Sequence, residues 1–149
     1  MKNILKATAV ALTLVTTPGF APPLAAQDVR TLATVVTSEN PQTQLMSMIL
    51  TLQAVQRGIS TQILLCRPAG DIALKDAPAS ATAGQPPRDM SPQALLKAAI
   101  QKGAKAEVCA IYLPGKGAAS DALIDGVTVA APDAMGAALT ASGTRVWTF

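Results

Sequence analysis

The sequence predicts a single α/β domain built on a doubly wound, five-stranded parallel sheet. Segments rich in β-branched and aliphatic residues alternate with segments of helical periodicity from residue 31 to residue 149. Glycine and proline separate these segments, and no internal repeat is visible. This alternation is typical of βαβ units, whose crossover helices cover the faces of a parallel sheet. We predict the strand order 2-1-3-4-5, one of the two common doubly wound arrangements.

The first βαβ unit is the clearest part of this pattern. Residues 31–37 (TLATVVT) predict strand one, and residues 61–66 (TQILLC) predict strand two. Between them, Asn40-Pro41 predicts a helix start, because asparagine caps helices and proline suits the first helical position. Gly58 marks the end of this helix. Its predicted apolar face consists of Leu45, Met48, Ile49, Leu52 and Val55.

The second half of the chain continues the alternation less regularly. Residues 67–90 include a stretch rich in Ala, Pro and Gly without periodicity, which predicts a long loop that is either functional or mobile. Ser91-Pro92 predicts a second helix that stops at Gly103. The remaining predicted elements are strand three at residues 106–113, a short helix around residues 120–124, strand four at residues 127–130, a helix at residues 133–141 and strand five at residues 145–149.

The first 26 residues have the three parts of a secretory signal peptide. A positively charged start precedes an apolar stretch at residues 7–15, and a small-residue site follows at Ala25-Ala26. The apolar stretch is shorter than the about 20 residues that a membrane span requires. We therefore expect a signal peptide at residues 1–26 and a periplasmic or secreted domain at residues 27–149, with no membrane association after cleavage. An uncleaved anchor is the alternative.

The composition excludes several classes of chemistry. The chain contains no histidine, which excludes a Ser-His-Asp triad, a Cys-His pair and a histidine-type zinc site. The 12 basic and 9 acidic residues are scattered, so the basic face expected of a nucleic-acid-binding protein is missing. The turn after strand one lacks the glycine-rich spacing of a nucleotide or flavin phosphate loop. We expect no cofactor, no metal ion and no nucleic acid.

Cys109 is the candidate catalytic residue. Ligands of doubly wound sheets bind at the carboxyl ends of the strands, where the strand order reverses. In the order 2-1-3-4-5 this point lies between strands one and three, so Cys109 on strand three would approach Ser38 and Asn40 as supporting residues. The positive end of the first helix would then favour a thiolate on Cys109. The alternative is a buried structural cysteine, which is a common role for this residue type.

Cys66, the other cysteine, lies toward the end of strand two. Export would permit a disulfide. In the order 2-1-3, however, strand one separates the two cysteines by about 10 Å, which is beyond bridging range. We therefore expect two free thiols, or thiols protected by burial, with Cys66 in the core.

Four segments resemble the DsrE/DsrF-like family of sulfur-relay proteins over residues 30 to 149. They read TLATVVTSENPQTQLMSMILTLQAVQRG, ILLCRPAGDIAL, SPQALLKAAIQKGAKAEVCAIYL and LIDGVTVAAPDAMGAALTASGTRVWTF. The resemblance implies a five-stranded α/β fold, assembly into homotrimers or homohexamers, and a cysteine that carries sulfur as a persulfide. Cys109 matches that cysteine. The resemblance also implies a protein partner that donates or accepts sulfur, whereas the predicted export separates this chain from relay members of the cytoplasm.

Two functions therefore compete. The first is cysteine-based sulfur transfer or thiol redox chemistry centred on Cys109. The second is a non-catalytic oligomeric binding module whose cysteines are structural. Native-state reactivity of the thiols distinguishes them, because a working thiolate reacts in the folded protein and a buried structural thiol does not.

Overall fold

The computed structural model describes residues 28–149, which form one α/β domain. The strands are β1 (Thr31–Val36), β2 (Ser60–Leu65), β3 (Lys105–Val108), β4 (Val127–Val129) and β5 (Thr144–Thr148). The helices are α1 (Pro41–Gln56), α2 (Ala79–Thr82), α3 (Pro92–Gln101), α4 (Tyr112–Lys116) and α5 (Pro132–Thr140), with 3-10 turns at Ala69–Ala73 and Ser120–Ala122. The predicted signal peptide at residues 1–26 lies outside the described residues. Within residues 28–149, no helix combines the length and hydropathy of a membrane span.

The five strands form a single parallel sheet in the order β4-β3-β2-β1-β5. The predicted fold class is therefore confirmed, whereas the predicted strand order 2-1-3-4-5 is wrong. Strand β3 pairs with β2, with Leu65 opposite Val108, and not with β1. Strand β5 pairs with the other side of β1, with Ala33 opposite Val146. The chain thus adds strands in one direction from β1 to β4 and then returns to the opposite side of β1.

The two faces of the sheet carry cores of different size. Crossovers between parallel strands are right-handed, so the return to β5 passes over the face opposite to the earlier crossovers. Helices α1 and α3 pack together on the first face. Its core includes side chains that are fully buried: Val36, Met48, Ile63, Leu65, Leu96 and Val108. Helix α5 covers the second face, where Met135 packs in a smaller cluster with Leu64 and Ala130.

The helix starts predicted from sequence are confirmed by their capping contacts. The Asn40 side chain accepts hydrogen bonds from the backbone N–H groups of Gln42 and Thr43, both at 3.0 Å. Ser91 Oγ accepts the N–H of Ala94 at 3.2 Å. Each cap satisfies donors that the first helical turn leaves without an intrahelical partner. Helices α1 and α3 each carry proline in the first turn, as expected.

Strand three is shorter than predicted, which changes the setting of Cys109. The strand ends at Val108, so Cys109 lies just beyond it, and the chain turns into α4 three residues later. Pro114 falls within the first turn of α4, where a missing N–H costs no hydrogen bond. Residues 109–113, which were predicted to form the end of strand three, therefore form a turn and the start of a short helix.

The first part of the predicted long loop at residues 67–90 is packed against the domain. Its 3-10 turn places Ala69, Ile72 and Ala73 at 0% exposure. The N–H of Lys75 donates to the carbonyl of Ala122 at 2.9 Å, which ties this segment to the chain before β4. The first part of the loop therefore belongs to the core.

Candidate functional site

The two cysteines lie side by side at the carboxyl end of the sheet. Cys66 directly follows β2, and its N–H donates to the carbonyl of Val36 at 2.9 Å. Cys109 directly follows β3, and its N–H donates to the carbonyl of Leu65 at 2.9 Å. Both residues therefore extend the sheet ladder by one position. The carboxyl ends of parallel strands are where ligands of α/β sheets usually bind.

Cys66 and Cys109 form a disulfide bond, with their Cα atoms 5.1 Å apart. This separation lies within the usual range for a disulfide. The expectation of two free thiols about 10 Å apart is wrong, because it placed β1 between β2 and β3. Since β2 and β3 are neighbours, corresponding positions at their ends are one strand spacing apart. Cys66 packs against a core cluster, as expected, although its side chain is only partly buried.

The disulfide lies on the sheet face that α5 covers. Both cysteines pack against the cluster of Leu64, Ala130 and Met135, and both remain half-buried. Ile111, two residues beyond Cys109, is 76% exposed, the largest exposed fraction among the bulky apolar side chains of residues 28–149. The disulfide is thus packed against apolar side chains on one side, and the apolar side chain of Ile111 beside it is exposed to solvent.

Each cysteine is followed by a short helical turn that hydrogen-bonds back to it. The N–H of Gly70 donates to the carbonyl of Cys66 at 3.2 Å, and the N–H of Tyr112 donates to the carbonyl of Cys109 at 2.8 Å. These two turns also meet each other through side chains. The ring of Tyr112 covers Gly70 so closely that a Cβ added there would lie 2.5 Å from the ring. Glycine is therefore required at position 70 for this packing.

A polar contact completes the junction of the two turns. Tyr112 is fully buried, and its hydroxyl donates to Asp71 Oδ1 at 2.7 Å. Lys116 Nζ lies 2.8 Å from the same carboxylate oxygen. Tyr112 and Asp71 were not among the predicted site residues, because the sequence around Tyr112 predicts a strand. The sequence feature that could have pointed to Tyr112 is that it is the single tyrosine of the chain and lies three residues after Cys109.

The environment of Tyr112 raises the pKa of its hydroxyl well above the ordinary value. Burial is the main cause, followed by the hydrogen bond to Asp71 and the charge of that carboxylate, while Arg67 acts in the opposite direction. The folded protein therefore keeps the Tyr112 proton at a pH where the unfolded chain loses it. The corresponding contribution to stability is complete below the unfolded pKa of about 10 and decreases above it.

We therefore expect the free energy of unfolding to fall by about 1.4 kcal/mol per pH unit above about pH 10 through Tyr112 alone. Denaturant unfolding from about pH 9 to about pH 11 measures this slope. Tyr112→Phe removes the hydroxyl, so the variant should lose this part of the alkaline slope. Equal slopes for the two proteins above pH 10 would contradict the shifted pKa.

Within residues 28–149, the side-chain hydrogen bonds of Ser38 and Asn40 go to the start of α1 and not to either cysteine. Ser38 and Asn40 follow β1, which β2 separates from β3. Ser38 Oγ accepts the N–H of Asn40 at 3.1 Å, and the Asn40 side chain caps α1. The carbonyl of Phe149, next to β5, accepts hydrogen bonds from the N–H groups of Thr37 and Ser38. The observed strand order thus removes the geometric reason for including Ser38 and Asn40 in the site.

A cavity of about 250 Å³ opens near the same end of the sheet. Its walls include Glu39, Gln44, Pro68, Asp71 and Ser80. Two carboxylates in one small cavity disfavour an anionic ligand such as the phosphate group of a nucleotide or flavin. Among residues 28–149, no cluster of three or more cysteine and carboxylate side chains has an arrangement suited to a metal ion.

Solved structures with a similar fold exist, although no family model and no curated protein sequence matches the chain. The YchN protein from E. coli aligns with a TM-score of 0.63 at 16% sequence identity, covering 80% of this chain and 98% of that chain. MTH1491, a protein of unknown function from Methanobacterium thermoautotrophicum, aligns with a TM-score of 0.58 at 12% identity, covering 82% and 100%. At such low identity the likeness shows the fold alone. This chain therefore has the single-domain α/β fold of these two proteins.

Proposed function

We propose that this chain is an exported sulfur-handling protein in which Cys109 exchanges sulfur with a partner protein and Cys66 forms the disulfide with it. The observation that carries the proposal is the position of the pair. Two cysteines from different strands meet at the carboxyl end of a parallel sheet, with Cα atoms 5.1 Å apart and both side chains half-buried. The resemblance to the DsrE/DsrF-like family supports the choice of Cys109 as the residue that receives sulfur.

The chemistry needs only the two cysteines and a persulfide donor. The Cys109 thiolate attacks the terminal sulfur of the donor persulfide, forms a persulfide on Cys109 and releases the donor thiolate. A partner thiolate can then take the terminal sulfur from Cys109. Alternatively, the Cys66 thiolate attacks Cys109 Sγ and hydrosulfide leaves. Over the two steps together, two thiols are oxidised to the disulfide, and the sulfane sulfur received from the donor is reduced to hydrosulfide by the same two electrons. The Cys66–Cys109 disulfide is then the discharged form of the site.

The proposal predicts different products for the two single cysteine variants. The reduced protein is incubated with polysulfide, and the mass of each cysteine-containing peptide is measured after native-state alkylation. Cys66→Ser should accumulate one added sulfur atom on Cys109, because it lacks the thiol that releases hydrosulfide. Cys109→Ser should accumulate far less on Cys66. The wild-type protein should return to the disulfide.

The opposite result would assign the cysteines a structural role. If neither thiol of the reduced, folded protein reacts until the chain is unfolded, the pair is structural. The chain is then a non-catalytic oligomeric binding module with structural cysteines, the second function considered from the sequence. Assembly into homotrimers or homohexamers, export and the identity of the partner stay predictions. The exposed apolar side chains of Met46, Leu50 and Ile111 are the ones that such contacts would use.

A further inference from the structure

The two cysteine-bearing turns are held together by more than the disulfide. One turn carries Cys66 and Asp71, and the other carries Cys109 and Tyr112. The hydrogen bond between Tyr112 Oη and Asp71 Oδ1 joins them at 2.7 Å. This contact contains no sulfur, so reduction of the disulfide does not itself break it.

The geometry of this contact restricts both turns. Tyr112 is 0% exposed, and its ring lies against Gly70, whose N–H binds the carbonyl of Cys66. The N–H of Tyr112 binds the carbonyl of Cys109. Lys116 shares the Asp71 carboxylate oxygen at 2.8 Å, which adds a charge-assisted contact to the same group. A movement of one cysteine away from the other therefore has to displace the buried Tyr112 ring or break its hydrogen bond to Asp71.

We propose that Tyr112 and Asp71 are positioning residues that keep Cys66 and Cys109 facing each other in the reduced state. The contact between Tyr112 and Asp71 raises the effective concentration of one thiol toward the other and so favours formation of the disulfide. This inference rests on the proposed function, because it gives the dithiol form a defined part in the cycle. It assigns Tyr112 and Asp71 no contact with a substrate.

Equilibrium with glutathione measures this effective concentration directly. Protein disulfide plus two glutathione thiols gives protein dithiol plus glutathione disulfide, so bonds and electrons balance. The full chain is equilibrated in glutathione buffers of increasing oxidised fraction, and thiols are then trapped by alkylation and counted by mass spectrometry. Tyr112→Phe keeps the ring on Gly70 but lacks the donor to Asp71. We expect it to lower the effective concentration about tenfold, the size of one hydrogen bond to a charged group.

Two further variants separate positioning from general stability. Thr51→Val removes a buried hydroxyl that donates to the carbonyl of Ser47 at 2.7 Å and lies 3.0 Å from Thr34 Oγ1, a contact that joins α1 to β1. It should lower the free energy of unfolding while leaving the glutathione equilibrium unchanged. Asp71→Asn keeps an oxygen acceptor for Tyr112, so it should retain more of the effective concentration than Asp71→Ala.

The inference is overturned if Tyr112→Phe leaves the glutathione equilibrium unchanged while lowering stability as Thr51→Val does. It is also overturned if near-ultraviolet circular dichroism shows the reduced wild-type protein to be unfolded, because no contact then holds the thiols. Failure of the proposed function gives a different result. In that case Cys109 of the folded, reduced Cys66→Ser variant gains no sulfur atom from polysulfide, whereas Tyr112→Phe still shifts the glutathione equilibrium of the two-cysteine protein.

Discussion

Replacing both cysteines by serine, Cys66→Ser with Cys109→Ser, is expected to lower the free energy of unfolding by about 4 kcal/mol. The disulfide links residues 43 positions apart in the sequence. Closing a loop of this length in the unfolded chain removes conformational entropy, which is the main source of the expected stabilisation. Denaturant titrations of the oxidised wild type, the reduced wild type and the double variant measure the difference.

The reduced wild type is the matched control for this measurement. It carries the same side chains as the oxidised protein apart from the cross-link, so it should lose nearly as much stability as the double variant. Folding and disulfide formation are linked by a thermodynamic cycle. The amount by which the disulfide raises the free energy of unfolding equals the amount by which folding favours formation of the disulfide. A loss of about 4 kcal/mol thus means a disulfide favoured about a thousandfold more in the folded chain than in the unfolded chain. A loss below about 1 kcal/mol would show that the fold does not favour the cross-link.

The fold class could be predicted from sequence because it depends on local patterns. Asn40-Pro41 and Ser91-Pro92 specify helix starts through side-chain caps and the fixed proline φ, and both caps form as expected. The right-handed crossover then dictates a parallel sheet with covered faces. Neither the helix caps nor the handedness of the crossover determines the side on which a new strand joins the sheet. The sequence pattern therefore allowed β3 to lie beside β1 or beside β2.

One pattern in the sequence did favour the observed order. Ile63, Leu64 and Leu65 are consecutive apolar residues, all buried, and such a run is typical of a strand covered on both faces in the middle of a sheet. Strand β5 instead carries the exposed residues Arg145 and Val146, as suits an edge. The order 2-1-3-4-5 placed the more apolar strand at the edge. The apolar run therefore favours a position for β2 inside the sheet, without determining which strand lies on its other side.

The candidate site depended on that strand order, which is why it was predicted only in part. The local sequence around Cys109 was enough to predict that this residue lies at the carboxyl end of the sheet, and it does lie there. Its pairing with Cys66 follows from the adjacency of β2 and β3, a non-local property. The contact of Tyr112 with Asp71 depends in addition on the short helix α4, whose first-turn proline was interpreted as the end of a strand.

The second large effect is expected at Leu65, the last residue of β2. Leu65→Ala should lower the free energy of unfolding by about 3–5 kcal/mol, because it removes buried methyl groups and leaves a cavity. The side chain is 0% exposed in the core between the sheet and helices α1 and α3. Its carbonyl accepts the N–H of Cys109 at 2.9 Å, so the cavity adjoins the backbone that carries the disulfide.

Leu50→Ala is the matched control, since it makes the same chemical change on α1 where the side chain is 37% exposed. We expect it to cost about 1–2 kcal/mol, clearly less than Leu65→Ala, because part of the side chain is already exposed and water can fill the space. Thermal or denaturant unfolding of both variants gives the comparison. It also tests the strand order. In the order 2-1-3-4-5, β2 is an edge strand, and truncation near its end removes fewer packing partners than in the centre of the sheet. Equal losses at Leu65 and Leu50 would argue against a central β2, whereas a large excess at Leu65 supports the arrangement that brings Cys66 and Cys109 together.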